Sequence, residues 1–73
     1  MQITYDADAS YIMLTGTVGK GSAAHQMHSI ATPGNVGEVI LDFDNALRLI
    51  GIEILNAGDV LPLEVLEAAQ RSV

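Results

Sequence analysis

The sequence predicts an α+β fold: an antiparallel β-meander of four to five strands with one C-terminal α-helix packed on one face. Three observations predict it. Short apolar runs of strand length recur from Ile3 to Leu55, with turn formers between them. Helical spacing of apolar residues appears only after Pro62, at Val65, Leu66, Ala69 and Val73. The length of 73 residues suits a single domain, residues 1–73, with one small core.

Ile3 to Tyr5 reads as a first short strand. Asp6-Ala7-Asp8-Ala9-Ser10 carries turn formers at both ends. Tyr11 to Thr15 is rich in aromatic and branched residues and reads as a second strand, close enough to the first for a hairpin. Gly16 to Ser22 holds three glycines and no periodicity, so it reads as a flexible loop. Ala23 to Ala31 is ambiguous, because Met27 and Ile30 fit neither the strand nor the helix period. Its place between a glycine-rich loop and a turn favours a strand. Thr32-Pro33-Gly34-Asn35 marks that turn.

Glu38–Asp44 and Leu49–Leu55 are the strongest strands. Val39, Leu41 and Phe43 share one face by period two, and Ile50, Ile52 and Ile54 form the richest face of the partner. Both triplets meet one core only if the turn has an even length, because a one-residue slip inverts every side chain. A loop of Asn45 to Arg48 satisfies this. It pairs Phe43 with Ile50, Leu41 with Ile52 and Val39 with Ile54. The predicted core is these six residues with Ile3, Tyr5, Leu66 and Ala69.

Asn56-Ala57-Gly58-Asp59 ends the last strand, and Leu61-Pro62 opens the helix, where a first-turn proline loses no hydrogen bond. Glu64 and Glu67 suit the positive N-terminal end, and Glu67 lies four residues before Arg71.

The net charge is −6, with Lys20, Arg48 and Arg71 as the only fixed cations. Such a surface repels phosphate backbones and disfavours nucleic-acid binding. No apolar run approaches the ~20 residues that span a bilayer. Cysteine is absent, so neither a disulfide nor a thiolate metal site can staple the domain. The composition, and a start that lacks the charged and apolar regions of a signal peptide, lead to an expectation of a cytoplasmic protein. Domains this small often need a partner for extra burial. A homo-oligomer or a small basic protein partner is the expectation. Ile40, Leu49 and Leu55, on the mixed face of the main hairpin, are the candidate interface.

Several residue sets are of a kind that can carry chemistry. Asp42, Asp44 and Glu53 share the mixed face, with Asp42 opposite Gly51 and Glu53 diagonal to it, roughly 7 Å away. Hard cations take such ligands, but calcium needs six or more oxygens at ~2.4 Å. Solvated carboxylates guarding a sheet are the competing reading. His25 and His28 are three apart, a zinc-compatible pair only with a third ligand. Asp6 and Asp8 suit turn capping better than acid–base work, which needs a cleft. Ser10, Ser22 and Ser29 lack a nucleophile-elbow context. Gly19-Lys20-Gly21-Ser22 lacks the glycine spacing of a phosphate loop.

Tyr5-Asp6, then Ala7-Asp8-Ala9-Ser10-Tyr11-Ile12, and later Ile40-Leu41-Asp42-Phe43-Asp44 with Leu49-Ile50-Gly51-Ile52-Glu53-Ile54-Leu55, resemble a family of small bacterial proteins catalogued as domain of unknown function 2283. The family usually has two more residues in the first turn, and it tends to place glycine where Leu47 stands. The resemblance implies a small α+β fold and brings no established activity. Members of this kind can sit beside small basic proteins resembling toxins.

The expected function is therefore a non-catalytic protein-interaction module, antitoxin-like, with no cofactor and no catalytic residues. The alternative is a metal- or small-ligand-binding domain using Asp42, Asp44 and Glu53 or His25 and His28.

Overall fold

A computed structural model describes residues 1–15 and 23–69 of the chain. The predicted loop at Gly16–Ser22, and the expected roles of Arg71 and Val73, lie outside the described residues. The fold is α+β. Five strands, β1 (Gln2–Asp6), β2 (Ala9–Met13), β3 (His25–Ala31), β4 (Glu38–Phe43) and β5 (Leu49–Leu55), form one antiparallel sheet. Two short helices follow, α1 (Ala57–Val60) and α2 (Leu63–Ala68).

The strand order is β1-β2-β5-β4-β3, which corrects the expected simple meander. β2 neighbours β5 rather than β3. The most apolar strand takes the centre, where both of its edges are paired. β3 lies at the edge of the sheet opposite β1.

The β1–β2 hairpin is tighter than the expected turn. Asp6 pairs with Ala9, so only Ala7 and Asp8 form the loop, at φ 51° and 60°. Two residues at positive φ match the right-handed twist of the strands they join. The β3 strand carries a bulge between Met27 and Ile30, with Ser29 at φ 63°. The extra residue lets Met27 pair with Leu41 and Ile30 with Val39 on one face, although they are three apart. This explains why neither period fitted the segment.

The β4–β5 hairpin departs from the predicted register at one end. Leu41 pairs with Ile52 and Val39 with Ile54, as the parity reasoning requires. Phe43 pairs with Leu49, not Ile50. The Asp44 N–H donates to the Arg48 carbonyl at 2.9 Å, which leaves a loop of Asn45, Ala46 and Leu47. The loop is odd, and a bulge after Asp42 restores the parity. The turn and the bulge together satisfy the facing requirement that an even turn would have met alone.

After β5 the chain closes one end of the sheet. Asn56 sits at φ 60°, and its Nδ2 donates to the Val36 carbonyl beside the β3–β4 turn. Ala57 N–H donates to the Asp8 carbonyl at 2.9 Å, and Gly58 N–H donates to Asp8 Oδ1 at 2.8 Å. The segment thus ties both edge hairpins together. The predicted helix after Pro62 is α2, and an additional helix, α1, forms where only a break after the last strand was expected; the two stay separate because the residue before a proline is driven extended. Leu61 sits at φ −93° and ψ 147° ahead of Pro62.

The core is smaller than expected. Ile50, Ile54 and Ala57 are buried, and so is Ile40, which the sequence placed on an exposed patch. Val39, Leu41, Phe43, Ile52, Ile3, Tyr5, Leu66 and Ala69 are only half-buried. Leu49 and Leu55 are half-buried as well.

Candidate functional site

Tyr11, Gln26, Asp42 and Glu53 gather on one face of the sheet around a glycine. Pairing places Met13, Gly51, Asp42 and Gln26 in one cross-strand row, with Tyr11, Glu53 and Ile40 in the next. Tyr11 reaches across β5 to β4, and its hydroxyl donates to Asp42 Oδ2 at 2.8 Å. It can do so only because residue 51 has no side chain. A Cβ built at Gly51 would collide with the Tyr11 ring and hydroxyl. Glycine inside a strand commonly marks such a close approach.

Asp42 is buried, which corrects its reading as a solvated carboxylate. Gln26 Nε2, from the edge strand, donates to Asp42 Oδ1 at 2.7 Å. Both carboxylate oxygens therefore have partners, as a buried charged group requires. The bridge joins β2, β4 and β3 across β5. Burial, the hydrogen bond to Asp42, and the negative charges of Asp42 and Glu53 push the Tyr11 phenol up from 10.0 to about 12.

Asp44 does not join this cluster. Its Oδ1 accepts from the N–H groups of Ala46 at 2.8 Å and Arg48 at 3.0 Å. This side chain holds the hairpin loop in shape. Asp8 plays a similar part at the other hairpin, where its Oδ1 accepts from the Tyr5 hydroxyl at 3.2 Å as well as from Gly58.

The histidines also stand apart from the carboxylates. His25 pairs with Phe43, and His28 lies in the β3 bulge; both are exposed. Among the described residues, no three of His, Asp and Glu come together in a way that could hold a metal ion. Asp42 and Glu53 do share a face, as the register predicted.

Two residues escaped the sequence reading. Tyr11 was assigned only to a strand, yet it carries the bridge. Its signal was present in Gly51, a glycine in the middle of an otherwise aliphatic strand. Ser10 is 1% exposed, and its Oγ has no hydrogen-bond partner among the described residues. A small polar residue in an alternating strand gives no warning of this.

The reverse face is apolar. Ile3 pairs with Ile12, Ile12 with Ile52, Ile52 with Leu41 and Leu41 with Met27. Every strand contributes one residue to this row. None of the five is buried, although Ile52 sits on the central strand, and Met27 is 54% exposed. Among the described residues, α1 contacts β2 at the end of the sheet where Ser10 and Ile54 are buried, while this row stays half-buried to exposed.

The fold and these contacts define a small α+β domain whose polar side chains bind its strands and turns to one another. The chain belongs to the family described as Protein of unknown function (DUF2283), which matches residues 2–57. The match spans the whole sheet. The segments that carry the family resemblance supply Tyr5, Asp8, Tyr11, Asp42, Asp44 and Gly51, so each has a structural task here. No curated protein and no solved structure matches the chain significantly. No helix among the described residues is long and apolar enough to cross a membrane.

Proposed function

We propose that this chain is a non-catalytic protein-interaction module. The apolar row across all five strands, which the described residues leave half-buried to exposed, carries this reading. Large apolar faces rimmed by polar residues mark contact sites in small domains. The polar motif residues are engaged in holding the fold, which leaves surface rather than chemistry as the working part. The net charge of −6 favours a basic partner. The acidic side chains of the strands lie on the face opposite the apolar row, and Asp59, Glu64 and Glu67 are exposed on the helices. An antitoxin-like role, in which a small basic protein is held and neutralised, is the concrete form.

Co-purification from the native host with mass spectrometry tests this. A small basic protein should be recovered with the wild type and lost from a Glu64→Lys, Glu67→Lys double variant at raised salt. Repeated recovery of no partner would remove the proposal.

A further inference from the structure

We infer that a second copy of this chain covers the apolar face, the two sheets packing face to face. This rests on the interaction reading above and commits one face to one occupant.

The first row runs Ile3, Ile12, Ile52, Leu41 and Met27. With strands ~4.8 Å apart, it crosses roughly 19 Å of sheet. In the row beside it, Tyr5, Ser10, Ile54, Val39 and Ile30, Ser10 and Ile54 are already buried within the chain, so the first row and the neighbouring Ile30 form the open part of the face. Neither row contains an Asp or a Glu. The acids of the strands fall on the other face: Asp6 beside Ala9, Glu38 beside Leu55, Asp42 beside Gly51 and Glu53 beside Ile40.

This separation decides the occupant. A basic protein would find no counter-charge in either row, so the acidity of the chain gives it no reason to prefer this face. A second copy carries the same charge of −6, and like charges facing each other would oppose association. Meeting by the apolar face keeps the strand acids of both copies on the outside. A two-fold contact also requires a surface that complements itself, and the all-apolar row does so. Two sheets packed this way lie about 10 Å apart with their side chains interleaved. The dimer would then present two acidic faces outward to basic partners.

Sedimentation equilibrium of the full chain at micromolar concentration tests the inference. The wild type should have twice the monomer mass of 7.7 kDa. Met27→Lys and Ile12→Lys place a charge in the row and should weaken dimerisation by about tenfold or more, since a lysine loses its hydration there. Thr4→Lys makes the same change of charge on the opposite face and should leave the dimer intact. Far-UV circular dichroism confirms folding. If Ile12→Lys unfolds, Met27→Lys decides, because Met27 lies on an edge strand and is already 54% exposed. A monomeric wild type overturns the inference, as does a folded Met27→Lys that dimerises like the wild type. A monomer that still recovers a basic protein leaves the interaction reading standing and removes only the dimer. A dimer that recovers none supports this inference and removes the basic partner.

Discussion

The Tyr11 hydroxyl donates to Asp42 Oδ2 at 2.8 Å across the bare backbone of Gly51. That contact joins β2 to β4 across β5, between residues 31 apart in sequence. It places a buried carboxylate on a sheet with a phenol and an amide as its partners. Such a group stays buried only while its partners stay in place.

Removing the phenol hydroxyl should therefore be costly. Tyr11→Phe leaves Asp42 Oδ2 without its donor, and a hydrogen bond to a charged group contributes about 1.5–3 kcal/mol. Urea unfolding at neutral pH should show a loss in that range. The wild type should also lose stability at high pH. The Tyr11 phenol rises from 10.0 unfolded to about 12 folded, so the folded state binds the proton more tightly. The contribution is fully present below pH 10 and is lost as pH rises through about 12. Tyr11→Phe should not show this part of the decline. Absorbance titration of the Tyr5→Phe variant should follow the Tyr11 phenol alone, with its midpoint above 10.

Gly51→Ala should destabilise the protein by displacing the Tyr11 ring. The cost should approach that of Tyr11→Phe, at about 1–3 kcal/mol, because the same hydrogen bond is lost. A double-mutant cycle with Tyr11→Ala should then be strongly non-additive, since removing the ring opens the space that a Cβ needs. Additive effects would show that Tyr11 and Gly51 act independently.

Leu47→Gly should stabilise the chain. Leu47 closes the β4–β5 loop at φ 64° and is 71% exposed, so its side chain contributes little packing to offset the strain. A left-handed residue with a Cβ costs about 1–2 kcal/mol, and glycine removes that while adding some unfolded-state entropy. A net gain of about 0.5–1 kcal/mol in urea unfolding is expected. Glycine at this place is also the tendency the resemblance noted, and the positive φ supplies the physical reason.

Ser10→Ala should also stabilise. The hydroxyl is buried and makes no hydrogen bond among the described residues. An unsatisfied buried polar group costs about 1–3 kcal/mol, and alanine deletes it with almost no change in volume. A rise in the thermal midpoint of Ser10→Ala, with Ser10→Val lowered by overpacking, is the expected pattern.

Much of the fold follows from local chemistry. Alternation along Glu38–Phe43 and Leu49–Leu55 determines that these strands pair, and the parity of their apolar residues sets Val39 against Ile54 and Leu41 against Ile52. Turn formers determine the breaks between strands, and Pro62 determines where helix can begin. The polar face was legible in part, since Asp42 opposite Gly51 with Glu53 diagonal follows from register alone. Tertiary structure decided the rest. The odd loop and its bulge are equivalent in parity to an even loop, so period alone cannot separate them. The shift of Met27 and Ile30 onto one face depends on a bulge that only pairing with β4 imposes. The central place of β5, the burial of Ile40 and the reach of Tyr11 to Asp42 all depend on which strands become neighbours. That choice rests on contacts between residues far apart in the chain, which no local pattern encodes. It also separates the acidic face from the apolar one, and so defines the surfaces this protein has to offer.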